Sequence, residues 1–136
     1  MQSAAQLGVY ANGSGLPLRF RLFDNTNTNR AYNSPKAAPV FSINKVTIIH
    51  QIETYHWNNG RGAVPGEISL VGNRRTFGPW KAIGLSGSDN VPNVDWVVRG
   101  TWSLAPGNYT IVDSSVTTWS WNTNSGGAGF ARVWGF

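Results

Sequence analysis

The stretch Val46-Thr47-Ile48-Ile49-His50-Gln51-Ile52-Glu53-Thr54-Tyr55-His56-Trp57, followed by Asn58-Asn59-Gly60, is the longest extended segment in the sequence. β-Branched and aromatic residues dominate it, and it ends in a turn. Val46, Ile48 and Ile52 fall on one face with His50 between them. Ile49, Tyr55 and Trp57 fall on the other with Thr47, Gln51 and Glu53. Apolar residues on both faces predict a central strand covered on both sides for part of its length.

Shorter extended runs lie on either side. Residues 16–23 alternate, with Leu16, Leu18, Phe20 and Leu22 on one face and Arg19 and Arg21 on the other. Residues 40–43 form a short strand after a loop that carries Pro35 and Pro39. Downstream, strands are expected at 67–71, 76–83, 93–104, 109–112 and 130–136. The turn Gly72-Asn73-Arg74-Arg75 reads as a hairpin connection. Gly78-Pro79 bars a central ladder position and puts Trp80 at an edge or a bulge. Residues 114–129, rich in Ser, Thr, Asn and Gly, read as a long loop with a short strand at its centre. No segment shows helical periodicity. About eight strands separated by turn signals predict a single all-β domain, an antiparallel sandwich of jelly-roll type. Residues 1–15 are expected to form a loose N-terminal arm, with a short strand at 7–10, and residues 16–136 the sandwich.

Composition narrows the function classes. Charged residues make up 12% of the chain, about half the usual share, which argues against a disordered chain. The formal charge is +5, but the 11 basic residues are scattered and only Arg74 and Arg75 adjoin. The Trp-rich stretch 114–130 has no Lys or Arg, so a groove tracking a nucleic-acid backbone is not expected there. Without cysteine there is no disulfide framework or thiolate metal site. No apolar run approaches the ~18 residues of a spanning helix. The start, Met1 to Gln6, lacks a basic and apolar leader; an exported chain of this kind is expected to have lost its signal.

Seven Trp in 136 residues are more than a core of this size needs. Trp119 and Trp121 share one face of an extended segment, about 6.5–7 Å apart, and Tyr55 and Trp57 obey the same spacing. Flat rings take the C–H face of a sugar, and neighbouring amides such as Asn58 and Asn59 meet its hydroxyls. Polar flanks favour exposure of Trp119 and Trp121, whereas Val94 and Val98 on the same face favour burial of Trp96. Burial in a sandwich core is the competing explanation for each of these Trp. Catalysis has weaker support. Glu53 and Glu67 are the only Glu pair, and a glycan hydrolase needs two carboxylates facing across a cleft. A Ser/His/Asp set could draw on His50 or His56, but no nucleophile elbow is present. A structural calcium could take oxygen ligands from Asp113, from Asp24 with Asn25, or from the Asp89-Asn90 loop. No other cofactor is expected.

Several short motifs recur in order: Tyr55-His56-Trp57-Asn58-Asn59-Gly60, Pro65-Gly66-Glu67, Gly78-Pro79-Trp80, Ala105-Pro106-Gly107-Asn108-Tyr109, Asp113-Ser114, Thr118-Trp119-Ser120 with Asn122, and Ser125-Gly126-Gly127-Ala128-Gly129-Phe130. Over residues 40–135 the chain resembles a secreted bacterial β-sandwich module carried by larger extracellular proteins. Within that group it is similar to carbohydrate-binding modules of cellulase-type enzymes. The resemblance implies a non-catalytic accessory domain that holds a covalently linked glycoside hydrolase on plant cell-wall β-glucan: cellulose, mixed-linkage glucan or xyloglucan. It implies a secreted module; a monomer with no nucleic-acid or membrane partner is expected. It carries over Trp57, Asn58, Asn59, Trp80, Trp119 and Asp113 as positions of interest. The chain departs from the pattern at Trp121, where the family has Gln, and at Trp102, which has no counterpart; both are added to the expected aromatic platform. The rival expectation is a structural or protein-interaction domain whose Trp residues are core.

Overall fold

The computed structural model describes residues 19–87 and 89–136. The expected N-terminal arm, its strand at 7–10, and Leu16 and Leu18 lie outside the described residues. The described chain is all-β, with eleven strands and three short 3-10 turns. One sheet runs in the order β1 (Phe20–Asp24), β11 (Ala131–Gly135), β4 (Thr47–Tyr55), β8 (Asp95–Leu104), β7 (Ile83–Leu85). A second runs β3 (Val40–Ile43), β9 (Gly107–Asp113), β5 (Glu67–Gly72), β6 (Arg75–Lys81). Two short strands, β2 (Tyr32–Asn33) and β10 (Ser120–Trp121), pair separately. All these strand pairings are antiparallel.

Setting aside β2, β7 and β10, eight strands remain, four in each sheet. The chain crosses between sheets at β1 to β3, β3 to β4, β4 to β5, β6 to β8, β8 to β9 and β9 to β11. That weaving is the connectivity of a jelly roll. One apolar cluster draws on both sheets: Ile49, Ile52, Trp96, Val98 and Val133 from the first, and Phe41, Ile68, Leu70, Tyr109 and Ile111 from the second. Phe23 of β1 meets Phe41 of β3 with ring centroids 6.1 Å apart, and Trp80 of β6 meets Trp102 of β8 at 4.4 Å. A β-sandwich requires such contacts along the length of its core.

Two local expectations find their physical form. Asn73 and Arg74 both adopt positive φ (49° and 61°), the backbone of a tight hairpin turn between β5 and β6. Pro79 sits on β6, the edge strand of its sheet, where the ladder slips between Ile68 and Leu70.

One expectation is overturned. Val46 and Ile48 do not share a face with Ile52: both are exposed, and Ile49, expected on the opposite face, is buried in the core with Ile52. The ladders on both sides of β4 slip between Ile49 and Gln51. One extra residue reverses the alternation, so Thr47 and Ile49 point inward before the slip, and Ile52, Thr54 and His56 after it. Gln51, Glu53 and Tyr55 therefore share the outer face.

Candidate functional site

That reversal shapes a site. An open cleft of about 1050 Å³ lies on the outer face of the five-stranded sheet. Its floor is Glu53 and Tyr55 of β4, Asp95 of β8, Arg132 of β11, and Arg21 and Asp24 of β1. Its walls are the loop from Asn27 to Asn33, the Trp57 and Asn59 turn, and Gly87 with Asp89. Register brings the floor together: Asp24 stands opposite Arg132, Arg132 opposite Glu53, and Tyr55 opposite Asp95. Glu53 and Asp95 are thus diagonal neighbours on one face.

Most of the floor is held in place by polar contacts. Asp24 accepts hydrogen bonds from the Thr26 amide at 2.8 Å and hydroxyl at 2.7 Å, and pairs with Arg21 at 2.9 Å. Burial pushes its carboxyl up, but those Thr26 donors and the Arg132 and Arg21 guanidiniums outweigh burial and hold it below its ordinary value. Glu53 Oε2 accepts from Gln51 at 2.8 Å and from the Trp134 indole at 2.7 Å, and its Oε1 lies 3.6 Å from Arg132. Asp95 differs. Burial first, then the Glu53 charge, push its carboxyl above its ordinary value against the pull of Arg132. Burial, then Asp95 and Asp89, push the Tyr55 hydroxyl up as well.

The expected platform is not there. Trp119 is only 2% exposed; its indole donates to the Phe130 carbonyl at 2.9 Å, and its ring presses on Gly129. Trp121 is half-buried. Its indole donates to the Asn33 carbonyl at 2.8 Å, and its ring leans on Tyr32, with centroids 5.7 Å apart. Trp121 thus braces a cleft wall without lining it. Trp80 and Trp102 pack on each other and on the core, away from the cleft lining. Asn58 is committed to the fold: its carbonyl oxygen accepts from Asn33 at 3.0 Å and its amide donates to the Gly62 carbonyl at 2.8 Å. Of the expected ligand residues the cleft gathers Tyr55, Trp57 and Asn59. Trp96 is fully buried, as expected.

Asp113 does not form an open cation site. Its side chain is wholly buried, and Oδ2 takes the Thr54 hydroxyl at 2.6 Å and His56 Nε2 at 2.7 Å. Oδ1 accepts the Ser115 amide at 2.8 Å. Among the described residues no group of three His, Asp or Glu side chains is placed to hold a metal. The network continues from His56 Nδ1 to the Thr118 hydroxyl at 2.8 Å and on to Ser115 Oγ at 2.8 Å. Carboxylate, imidazole and hydroxyl thus stand in a row, but His56 is fully buried, stacked on Trp96 at 3.7 Å, and the row is not part of the cleft lining. It ties the end of β4 to the end of β9. The Ser120 hydroxyl accepts the Trp57 amide at 2.9 Å, and Asn122 caps the 3-10 turn that leads to Ser125. Glu67 lies on β5, in the other sheet from Glu53, so those two carboxylates do not face each other.

Sequence reasoning missed Asp24, Tyr32, Asp95 and Arg132 as cleft residues. The sequence marks Asp24 only as a candidate calcium ligand, and Asp95 and Arg132 are brought in by ladder register. Comparison with protein-family models, curated proteins and solved structures finds no match to this chain. No helix among the described residues is long and apolar enough to cross a membrane.

Proposed function

We propose that the chain is a non-catalytic module that binds a β-linked polysaccharide, of the plant cell-wall glucan class, in the cleft floored by Tyr55. In this reading it holds an attached, secreted glycoside hydrolase on its substrate. The observation that carries the reading is the gathering of Tyr55, Trp57 and Tyr32 around one open cleft with the side-chain amides of Asn29 and Asn59, those of Asn27 and Asn33 being bonded to Asn122 and Asn58. Rings remove sugar C–H surface from water, and amides and carboxylates fix the hydroxyls. Two or three rings at about 1–2 kcal/mol each give affinities in the micromolar to millimolar range. Contact with the sugar thus moves from the Trp119/Trp121 pair to the cleft.

The test is retention of wild type, Tyr55→Ala and Trp57→Ala on soluble and insoluble β-glucans. Val46→Ala, at an exposed site outside the cleft, serves as control. Each cleft substitution is expected to weaken binding about tenfold, roughly 1.4 kcal/mol. Equal retention of all four proteins would remove the cleft from the reading. A second reading, a protein-interaction domain, is favoured by the outer face of the four-stranded sheet. There Val40, Thr110, Val71 and Thr76 stand side by side across four strands, with Val40 and Val71 exposed. If wild type ignores every glycan offered, that face becomes the working surface.

A further inference from the structure

We propose that the cleft selects β-linked chains bearing protonated amino groups, of which poly-β-1,4-glucosamine is the simplest, over neutral glucans. This rests on the reading that the cleft holds a β-linked glycan and replaces the neutral glucan of that reading with a cationic one.

The argument begins with the distribution of charge. The chain is basic overall, with six acidic residues against 11 basic ones. Four of those six, Asp24, Glu53, Asp89 and Asp95, line this one cleft. They do not act alike. Asp24 is paired with Arg21, and Arg132 lies 3.5 Å from Asp24 and 3.6 Å from Glu53. Those arginines are spent on the floor. Among the described residues neither Asp89 nor Asp95 has an ion-pair partner, and both sit close enough to Tyr55 to disfavour ionisation of its hydroxyl. The remaining cleft cation, Arg30, lies over the Tyr32 ring in the opposite wall, 5.5 Å from its centroid.

The cleft therefore has an uncompensated acidic end beside aromatic rings. A metal ion needs several carboxylates converging on one point, and no such group is present among the described residues. Carboxylates spread along a wall suit cations spaced along a polymer. An ammonium on the sugar ring adjacent to Tyr55 or Trp57 gains a carboxylate partner and an aromatic face together. It also gives Asp95 a direct ion-pair partner, where Arg132 acts on it only from a distance and Glu53 repels it. A neutral glucan offers hydroxyls to the same carboxylates but no charge, and a uronic-acid chain meets repulsion there.

The experiment is calorimetric titration of wild type and Asp95→Asn with a glucosamine hexamer, the matching glucose hexamer and a lysine hexamer. It is run at low salt and at several pH values up to about 6, because Asp95 ionises at higher pH than an ordinary carboxylate and the sugar amines are protonated at the lower end. Wild type is expected to bind the glucosamine chain about tenfold more tightly than the glucose chain, with the preference shrinking as salt screens it. Asp95→Asn is expected to bring that ratio below about threefold. Removing a carboxylate whose charge is disfavoured by burial and by Glu53 is expected to leave the thermal midpoint at or above wild type at neutral pH, which separates lost preference from lost fold. Equal wild-type affinity for both glycans overturns the inference while leaving the glycan reading in place. So does a lysine hexamer that binds as tightly as the glucosamine chain, since the cleft would then be a general trap for cations. An unchanged ratio in Asp95→Asn overturns it too. Failure to bind either glycan removes the underlying reading as well.

Discussion

Replacing Trp119 with alanine separates a core role from a ligand role, because the two predict opposite phenotypes. The side chain is 2% exposed, and its indole nitrogen donates to the Phe130 carbonyl at 2.9 Å. A Cβ built on Gly129 would lie 2.2 Å from a ring atom, so the indole rests directly on the backbone there. Truncating a buried Trp leaves a large cavity and costs about 3–5 kcal/mol, including the carbonyl left without its donor. Unfolding entropy of about 2.1 cal/mol/K per residue, taken over 136 residues, turns that loss into a fall in melting midpoint of roughly 10–17 °C. Gly129→Ala attacks the same contact from the other side and is expected to destabilise as well. In the double mutant the vacated ring space accepts the new methyl, so the combined loss is smaller than the sum of the two. Calorimetric melting of the four proteins is the assay, with glucan retention measured well below each midpoint. The expected pattern is a large thermal loss with glycan binding retained by the folded fraction. A Trp119→Ala protein that melts within about 2 °C of wild type but no longer binds would refute the burial argument and restore the ring to the ligand.

Two further perturbations probe the frame around the cleft. Asp113→Asn keeps the shape but takes away the charge that serves Thr54, His56 and the Ser115 amide. A loss of about 3 kcal/mol in urea unfolding is expected. Chelation of divalent ions should not move the midpoint, and a clear drop on chelation would return a cation to Asp113. For His50, burial first and the nearby Arg19 second lower the ring pKa from 6.5 to about 4. The unfolded chain therefore takes up this proton before the native one does. Stability from a neutral His50 is fully present above pH 6.5 and is lost as pH falls towards about 4. The difference in urea midpoint between wild type and His50→Phe, followed across that window, should change in this sense; a flat difference rejects the account.

The fold class was legible because it rests on local signals. Period-2 runs and Gly, Pro and Asn turns announce strands wherever they occur, and the strand at Val40–Ile43 appears with the bounds expected of it. The slip at His50 was not legible, since nothing in β4 alone shows that its neighbours on both sides lose register there. Without the slip, Ile49 and Tyr55 read as one face; with it, Ile49 enters the core and Tyr55 the cleft. The same holds for Asp24, Asp95 and Arg132. Each looks like an ordinary polar residue on its own strand, and only the ladder places them on one floor.

Trp119 misleads for a different reason. Rings flanked by small polar residues suit a sugar platform and a tightly bonded loop equally well, and the residue that decides between them, Gly129, lies at the far end of the same loop, where no local pattern pairs it with the ring. Many motif residues hold loops together: Asn58 joins the β2 strand to the turn after β4, Ser120 holds Trp57, and Asn122 closes its own turn. The segment Tyr55-His56-Trp57 combines the two tasks through alternation. His56 turns inward to Asp113, and Tyr55 and Trp57 line the cleft on either side of it. The buried pair thus fixes the direction in which the two rings point. A substitution at His56 should disturb the cleft without touching a ligand, so binding loss there carries no information about contact. The rings themselves, changed one at a time in a protein that still folds, are where contact can be read.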